Sequence, residues 1–210
     1  MFTLYYAPGT ASLVVHWLLI DLEVPHELRL VDFESKAQKF ADYLKLNPAG
    51  VVPTLVIDGQ PMFEAAALAL HLADAFPAAG LAPPLATLER ARYYQWLLFL
   101  ANTLQPAFRN WFYEDEAAGA DNAEAVKACA RQRIEACWDR LDAHLGISGP
   151  YLLGERVSAA DFHLTMLMRW SRNMPRPVTE WPNLARLAAL MKARPSFAEL
   201  YRRENLTEWA

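Results

Sequence analysis

Thiols are scarce in this chain. Only two cysteines occur in 210 residues, Cys129 and Cys137, and none in the first 128. If both lie on one helix, as the surrounding pattern predicts, roughly 12 Å of helix axis separates them. A disulfide requires Cα atoms within about 7 Å, so the two do not pair with each other. Early positive charge is also missing. The first basic residue is Arg29, so the apolar stretch 13–20 lacks the basic region of a signal peptide, and it is too short to span a bilayer. The expectation is a cytoplasmic protein with no membrane partner. The five histidines, at 16, 26, 71, 144 and 163, show no metal-binding spacing, and no metal is expected. Walker, G-x-G-x-x-G and G-x-S-x-G patterns are absent. Net charge is −4; residues 1–78 hold 4 basic and 9 acidic side chains, and the remainder 16 and 15. Neither half carries the basic footprint of a nucleic-acid partner.

The residues present describe a globular protein. Hydrophobic residues make up 54% and charged residues 21%, which excludes bulk disorder. The first 76 residues alternate in type. Segments 3–6 and 26–31 read as strands, 54–57 and 60–63 as a hairpin joined at Asp58-Gly59, and 10–22, 38–46 and 64–76 as helices. The predicted order is β-α-β-α-β-β-α. Four breakers between Pro77 and Pro84 mark a linker. The rest reads as helical: a stripe from residue 85 to beyond Phe99, then 122–145, a loop 146–154, and an apolar helix behind the capping-box spacing of Ser158 and Asp161. Two short helices start at Trp181-Pro182 and Arg194-Pro195. The domains expected are an α/β unit, 1–78, a linker, 79–84, and an all-α unit, 85–210.

Three junctions carry chemistry. In Tyr5-Tyr6-Ala7-Pro8-Gly9-Thr10-Ala11-Ser12 a strand meets a helix, where free N–H groups and the helix dipole favour an anion such as a thiolate. Thr10 or Ser12 can donate a hydrogen bond there; equally, either can be an N-cap. A dithiol oxidoreductase has C-x-x-C at this point, and this chain has no thiol nearby, so any sulfur chemistry needs a sulfur supplied by a ligand. In Val51-Val52-Pro53-Thr54 a cis bond would turn the Val52 peptide groups toward an extended peptide ligand, whereas a trans proline would simply start a strand. At Phe63-Glu64-Ala65-Ala66 the Glu64 carboxylate suits an ammonium and the Ala65 N–H a carboxylate, although acidic bias in a first helical turn is the plainer reading.

Together these segments resemble the cytosolic glutathione transferases, most closely the bacterial beta class. The resemblance rests on Leu4-Tyr-Tyr-Ala-Pro-Gly-Thr-Ala-Ser12, Asn47-Pro-Ala-Gly-Val-Val-Pro53, Glu64-Ala65, Leu72-Ala73-Asp74, Ser158-Ala-Ala-Asp161, Leu167-Met-Arg-Trp170 and Arg194-Pro195. It implies a thioredoxin-like domain (βαβαββα) followed by an all-α domain, assembled as a homodimer. It implies glutathione as co-substrate, conjugated to a small hydrophobic electrophile in detoxification. By similarity the Val52–Pro53 bond is cis and Val52 pairs with the cysteinyl backbone. Glu64 and Ala65 hold the γ-glutamyl end, and Lys36 lies near the glycyl carboxylate. Thr10 and Ser12 rank together as partners of the sulfur, with Tyr6 third. Phe108, Trp111, Phe112, Tyr113, Met166 and Trp170 are the candidate wall for the electrophile; each could equally be core.

The chain also departs from that family. Ala11 stands where the beta class often has Cys, and Ala65 where the family has Ser. Asn102-Thr103-Leu104-Gln105-Pro106 lacks the His-Lys pair common in the beta class. These differences keep two alternatives open: a catalytically weak or inactive glutathione-binding protein, and another glutathione-dependent reaction such as peroxide reduction or isomerisation.

Overall fold

The computed structural model describes residues 1–209. Its first elements are β1 (Phe2–Tyr6), α1 (Ser12–Asp21), β2 (His26–Leu30), α2 (Ala41–Leu44), β3 (Thr54–Ile57), β4 (Gln60–Phe63) and α3 (Ala65–Ala75). The strands form one sheet in the order β2-β1-β3-β4, with β1 parallel to β2 and antiparallel to β3. Strand alternation sends Leu4 and Leu55, partners across β1 and β3, to one face. There Leu13, Val14, Trp17 and Leu18 of α1 and Leu68 and Leu72 of α3 are fully buried, each such side chain contributing about 1.5–3 kcal/mol. This is the thioredoxin-like α/β domain.

The helix expected over 38–46 is much shorter. Ala37–Lys39 forms one 3-10 turn, Phe40 is extended (φ −74°, ψ 145°), and α2 is a single turn beyond it. One extended residue interrupts the helical hydrogen-bond ladder, so the apolar spacing of Phe40, Tyr43 and Leu44 does not make a continuous helix. Tyr43 is the anchor that remains. Its hydroxyl donates to the Val51 carbonyl at 2.7 Å and meets Thr54 Oγ1 at 2.9 Å, and its ring lies edge-on to Tyr5. With Ala7, Val31 and Val52 it makes a small core on this side of the sheet. Gly50 ends the turn before Val51 at φ +60°; a Cβ there would lie 2.8 Å from the Gln38 carbonyl oxygen.

The helices that follow are α4 (Leu88–Phe99), α5 (Gln105–Phe112), α6 (Glu114–Ala118), α7 (Ala123–Ser148), α8 (Ala159–Trp170), α9 (Pro182–Lys192) and α10 (Pro195–Glu204). The stripe beyond Phe99 is not plain α-helix. Leu100–Leu104 is a π turn that ends two residues before Pro106, whose ring nitrogen cannot donate to the preceding turn. The loop expected from Gly146 begins later, because α7 continues to Ser148. Gly146 is helical and serves a close approach: a Cβ there would lie 3.0 Å from Asn183 Nδ2. The capping box of α8 is formed, with Asp161 accepting from the Ser158 N–H at 2.8 Å and the Leu152 N–H at 2.9 Å. Burial pushes the Asp161 carboxyl up to about 6, against these bonds. Among the described residues no helix is long and apolar enough to cross a membrane.

The chain groups into two compact units: residues 83–191, and residues 1–82 together with the end of the chain from Lys192. By packing, α10 groups with the first unit. Its start is tied to the end of α1: the Arg194 guanidinium grips the Asp21 carboxylate at 2.7–3.0 Å, and Trp17 Nε1 donates to Ser196 Oγ at 2.9 Å. A helix beginning at Arg194-Pro195 is legible in sequence; the surface it packs on is not.

Candidate functional site

The turn between β1 and α1 is closed by hydroxyls. Ser12 Oγ accepts from the Ala7 N–H at 3.2 Å and lies 3.0 Å from the Ala7 carbonyl, to which it donates. Ser12 is fully buried. Thr10 is only half-buried, with its Oγ1 2.7 Å from the same carbonyl and 3.0 Å from Ser12 Oγ. The Thr10 N–H also points at that carbonyl, at 3.3 Å. Three donors thus compete for two lone pairs. The Thr10 hydroxyl hydrogen can turn away and leave Ala7 satisfied; the Ser12 oxygen cannot reach a ligand without opening the turn. Tyr6 packs its ring on His16, and burial followed by the nearby Glu204 charge raises its hydroxyl above the usual tyrosine range. Tyr5, on the opposite face, packs on Tyr43.

The second junction lies in the same unit. The Val52–Pro53 peptide is cis. Val52 is buried as a side chain, yet among the described residues its N–H and C=O have no hydrogen-bond partner. The residue before it is fixed from two directions, since Val51 O accepts from Tyr43 Oη at 2.7 Å and from Asn47 Nδ2 at 2.8 Å. Asn47 is fully buried and also accepts from the Ala49 N–H at 3.1 Å. At the third junction Glu64 is exposed and holds φ +75°, ψ 106°, a conformation that costs a non-glycine residue about 1–3 kcal/mol. It precedes α3 directly, so the Ala65 N–H is one of the first-turn donors with no carbonyl four residues back. Lys36, also exposed, sits in the left-handed region at φ +58° before the 3-10 turn.

The six aromatic and sulfur-bearing candidates divide in two. Phe108 and Met166, expected as part of a wall for the electrophile or as core, have no exposed surface. Phe108 packs on Trp138 and Trp170, and Met166 lies in α8, whose residues 159–169 are all buried. Trp111, Phe112, Tyr113 and Trp170 keep exposed surface, with Phe112 edge-on to Trp170 at 6.1 Å.

Sequence reasoning missed a buried charge beside the first junction. Glu204, near the end of α10, sends Oε2 to the Gly9 N–H at 2.8 Å and Oε1 to His16 Nδ1 at 2.8 Å. Both the Glu204 and the His16 side chains are fully buried. No local pattern marks either residue, because 195 positions separate Gly9 from Glu204.

Comparison with known proteins identifies the family. The family description "Glutathione S-transferase, N-terminal domain" matches residues 10–75, and "Glutathione S-transferase, C-terminal domain" matches residues 101–203. A glutathione S-transferase of Xanthomonas campestris pv. campestris is 34% identical over 172 residues, 80% of this chain and 81% of that protein. The crystal structure of a glutathione transferase homologue from Sulfitobacter, with bound glutathione, superposes with a TM-score of 0.90 at 29% identity, covering 97% and 98% of the two chains. A bacterial beta class glutathione S-transferase from Sphingomonas chungbukensis gives 0.85 at 29% identity over 98% and 100%. The chain belongs to the glutathione S-transferase family, close to its bacterial beta class.

Proposed function

We propose that this enzyme binds glutathione on its first unit and joins the glutathione sulfur to a small hydrophobic electrophile. The observation that carries the reading is the unpaired peptide of Val52. A buried, rigid residue with a free N–H and a free C=O is an open position for one extended residue of a peptide ligand. Glu64 takes the α-ammonium of the γ-glutamyl end and the Ala65 N–H its carboxylate. Lys36 faces the glycyl carboxylate. Pro53 follows Val52 and fixes the start of β3. The relative with bound glutathione supports the choice of ligand.

The Thr10 hydroxyl donates to the sulfur. Stabilising the thiolate by about 1.4 kcal/mol lowers the thiol pKa by one and raises the thiolate population about tenfold. Ser12 holds the turn, and Tyr6 lines its base. The thiolate attacks the electrophilic carbon. A carbon–sulfur bond forms, the leaving group departs with its electron pair, and the thiol proton goes to solvent. Holding both reactants together supplies most of the acceleration. Trp111, Phe112, Tyr113 and Trp170 are the aromatic surfaces proposed to hold the electrophile. The reading extends to a homodimer acting in detoxification in the cytoplasm, as the family resemblance implies.

Calorimetry with glutathione, followed by turnover of a chlorodinitroaromatic, tests this. Binding and chloride release that both weaken in Glu64→Ala are expected. No heat with millimolar glutathione and folded protein would overturn the reading. Binding with hydroperoxide turnover and no conjugation would replace the reaction while keeping the site.

A further inference from the structure

Helices α5 and α8 meet along a seam inside one unit, residues 83–191. At one end His163 of α8 lies against Gln105 of α5, Nε2 to Oε1 at 2.8 Å. Two helical turns further on, Phe112 and Trp170 meet edge-on. The spacing from 105 to 112 equals that from 163 to 170, so each helix presents both of its members on one face. His163 is fully buried, and a buried polar ring is unfavourable unless it is hydrogen-bonded. The side chain makes one hydrogen bond among the described residues, to Gln105, and Nδ1 makes none. A proton on Nδ1 would strand a buried donor, whereas a proton on Nε2 leaves only an acceptor bare, which is the milder case. Nε2 therefore carries the hydrogen, and burial keeps the ring neutral by lowering its pKa to about 4. That donor fixes the Gln105 amide: Oε1 turns to His163 and the NH2 group turns away. Gln105 is half-buried, and its Nε2 has no hydrogen-bond partner among the described residues. It opens α5 directly after the π turn 100–104, a distortion frequent at functional sites.

We infer that Gln105 determines specificity for the electrophile: its outward NH2 group, oriented by His163, donates a hydrogen bond to an acceptor oxygen of that substrate. The electrophile is then an apolar compound carrying a carbonyl or nitro group. This rests on the function proposed above, in which Phe112 and Trp170 hold the apolar part. About 10 Å of helix rise separates Gln105 from Phe112, so the polar anchor and the aromatic surface are set apart along one face of α5. A glutamine free to rotate would offer its carbonyl as readily as its NH2 group, and a carbonyl repels an acceptor. His163 removes that choice. It is a positioning residue and does not touch the electrophile.

Two glutathione conjugates separate recognition from packing. S-(para-acetylbenzyl)glutathione and S-(para-isopropenylbenzyl)glutathione have nearly the same shape and differ by an acceptor oxygen in place of a CH2 group. Calorimetry gives the Kd of each, and the readout is their quotient, isopropenyl over acetyl. Gln105→Met keeps the size and loses the donors. It is expected to lower the quotient about fivefold, as one neutral hydrogen bond contributes. His163→Met lowers it to a similar extent. His163→Gln, whose amide can again donate to Gln105 Oε1, stays near wild type. A residue that only packs shifts both ligands alike, so an unchanged quotient in Gln105→Met overturns the inference. A quotient lowered in Gln105→Met and unchanged in His163→Met overturns the part assigned to His163. Should His163→Met not fold, nitrogen NMR of the wild-type imidazole decides: a proton on Nε2 supports the orientation, and a proton on Nδ1 overturns it. A wild type that binds neither conjugate defeats the proposed function and this role together. A wild type that binds both, with Gln105→Met indistinguishable, defeats this role alone.

Discussion

Thr10 and Ser12 bring their hydroxyl oxygens within 3.0 Å of each other on one turn, yet Ser12 is fully buried while Thr10 keeps exposed surface. The two residues are equivalent in composition and opposite in consequence. Ser12 spends its oxygen on both peptide groups of Ala7; Thr10 shares a carbonyl that has donors to spare.

Single substitutions are therefore expected to part activity from stability. Thr10→Ala lowers kcat/KM for conjugation about tenfold, the worth of one charge-assisted hydrogen bond, and changes stability little; Thr10→Ser restores most of the rate. Ser12→Ala strands the Ala7 N–H and lowers unfolding free energy by about 1–3 kcal/mol. Steady-state kinetics and urea titration on the three variants measure both. A Ser12→Ala protein of normal stability with lost activity would reverse the assignment.

Asn47 bonds to Val51 and Ala49 inside one short turn. Asn47→Ala removes both bonds and releases the Val51 carbonyl to Tyr43 alone. The expected cost is about 1–3 kcal/mol in stability, together with weaker glutathione binding at constant kcat, because the turn positions Val52 and not the sulfur. Calorimetry alongside kinetics checks it: a raised Kd with unchanged kcat supports the reading, and an unchanged Kd refutes it.

His163 is fully buried on α8 and donates Nε2–H to Gln105 Oε1 at 2.8 Å, while its Nδ1 has no hydrogen-bond partner among the described residues. Burial drives its pKa down from 6.5 to about 4. Between those values the unfolded chain binds a proton that the folded chain refuses. This contribution to stability is complete above about pH 6.5 and is lost as pH falls toward 4, by about 3 kcal/mol in all. Asp161, raised to about 6, acts in the opposite sense in part of the same window. The measurement is accordingly the difference between wild type and His163→Gln in urea unfolding from pH 7 to pH 4. The difference narrows on acidification if the histidine is responsible, and stays constant if it is not.

Arg194 grips Asp21 with two nitrogens, and the Asp21 side chain is largely buried. Arg194→Ala leaves that carboxylate with Ser196 alone and is expected to cost about 1–3 kcal/mol, between the values of surface and buried pairs. Amide exchange should rise first in α10. Exchange that rises uniformly along the chain would show that α10 has no separate docking energy.

Local physics made much of this protein readable before any coordinates. Strand alternation, the Asp58-Gly59 hairpin, the helix starts at Pro182 and Pro195 and the Ser158/Asp161 capping box depend on neighbours a few residues apart, so a linear pattern records them. The ordered motifs around Thr10, Pro53 and Glu64 likewise pointed to a peptide carrying its own sulfur. Tertiary structure decided the rest, because it depends on which groups meet after distant segments pack. Burial separated Ser12 from Thr10 and withdrew Phe108 and Met166 into the core. Phe40 broke a helix whose spacing looked continuous. Glu204, an ordinary acidic residue on an amphipathic helix, became the buried partner of Gly9 only because α10 returns to lie along α1, and no window of sequence contains both ends of that contact.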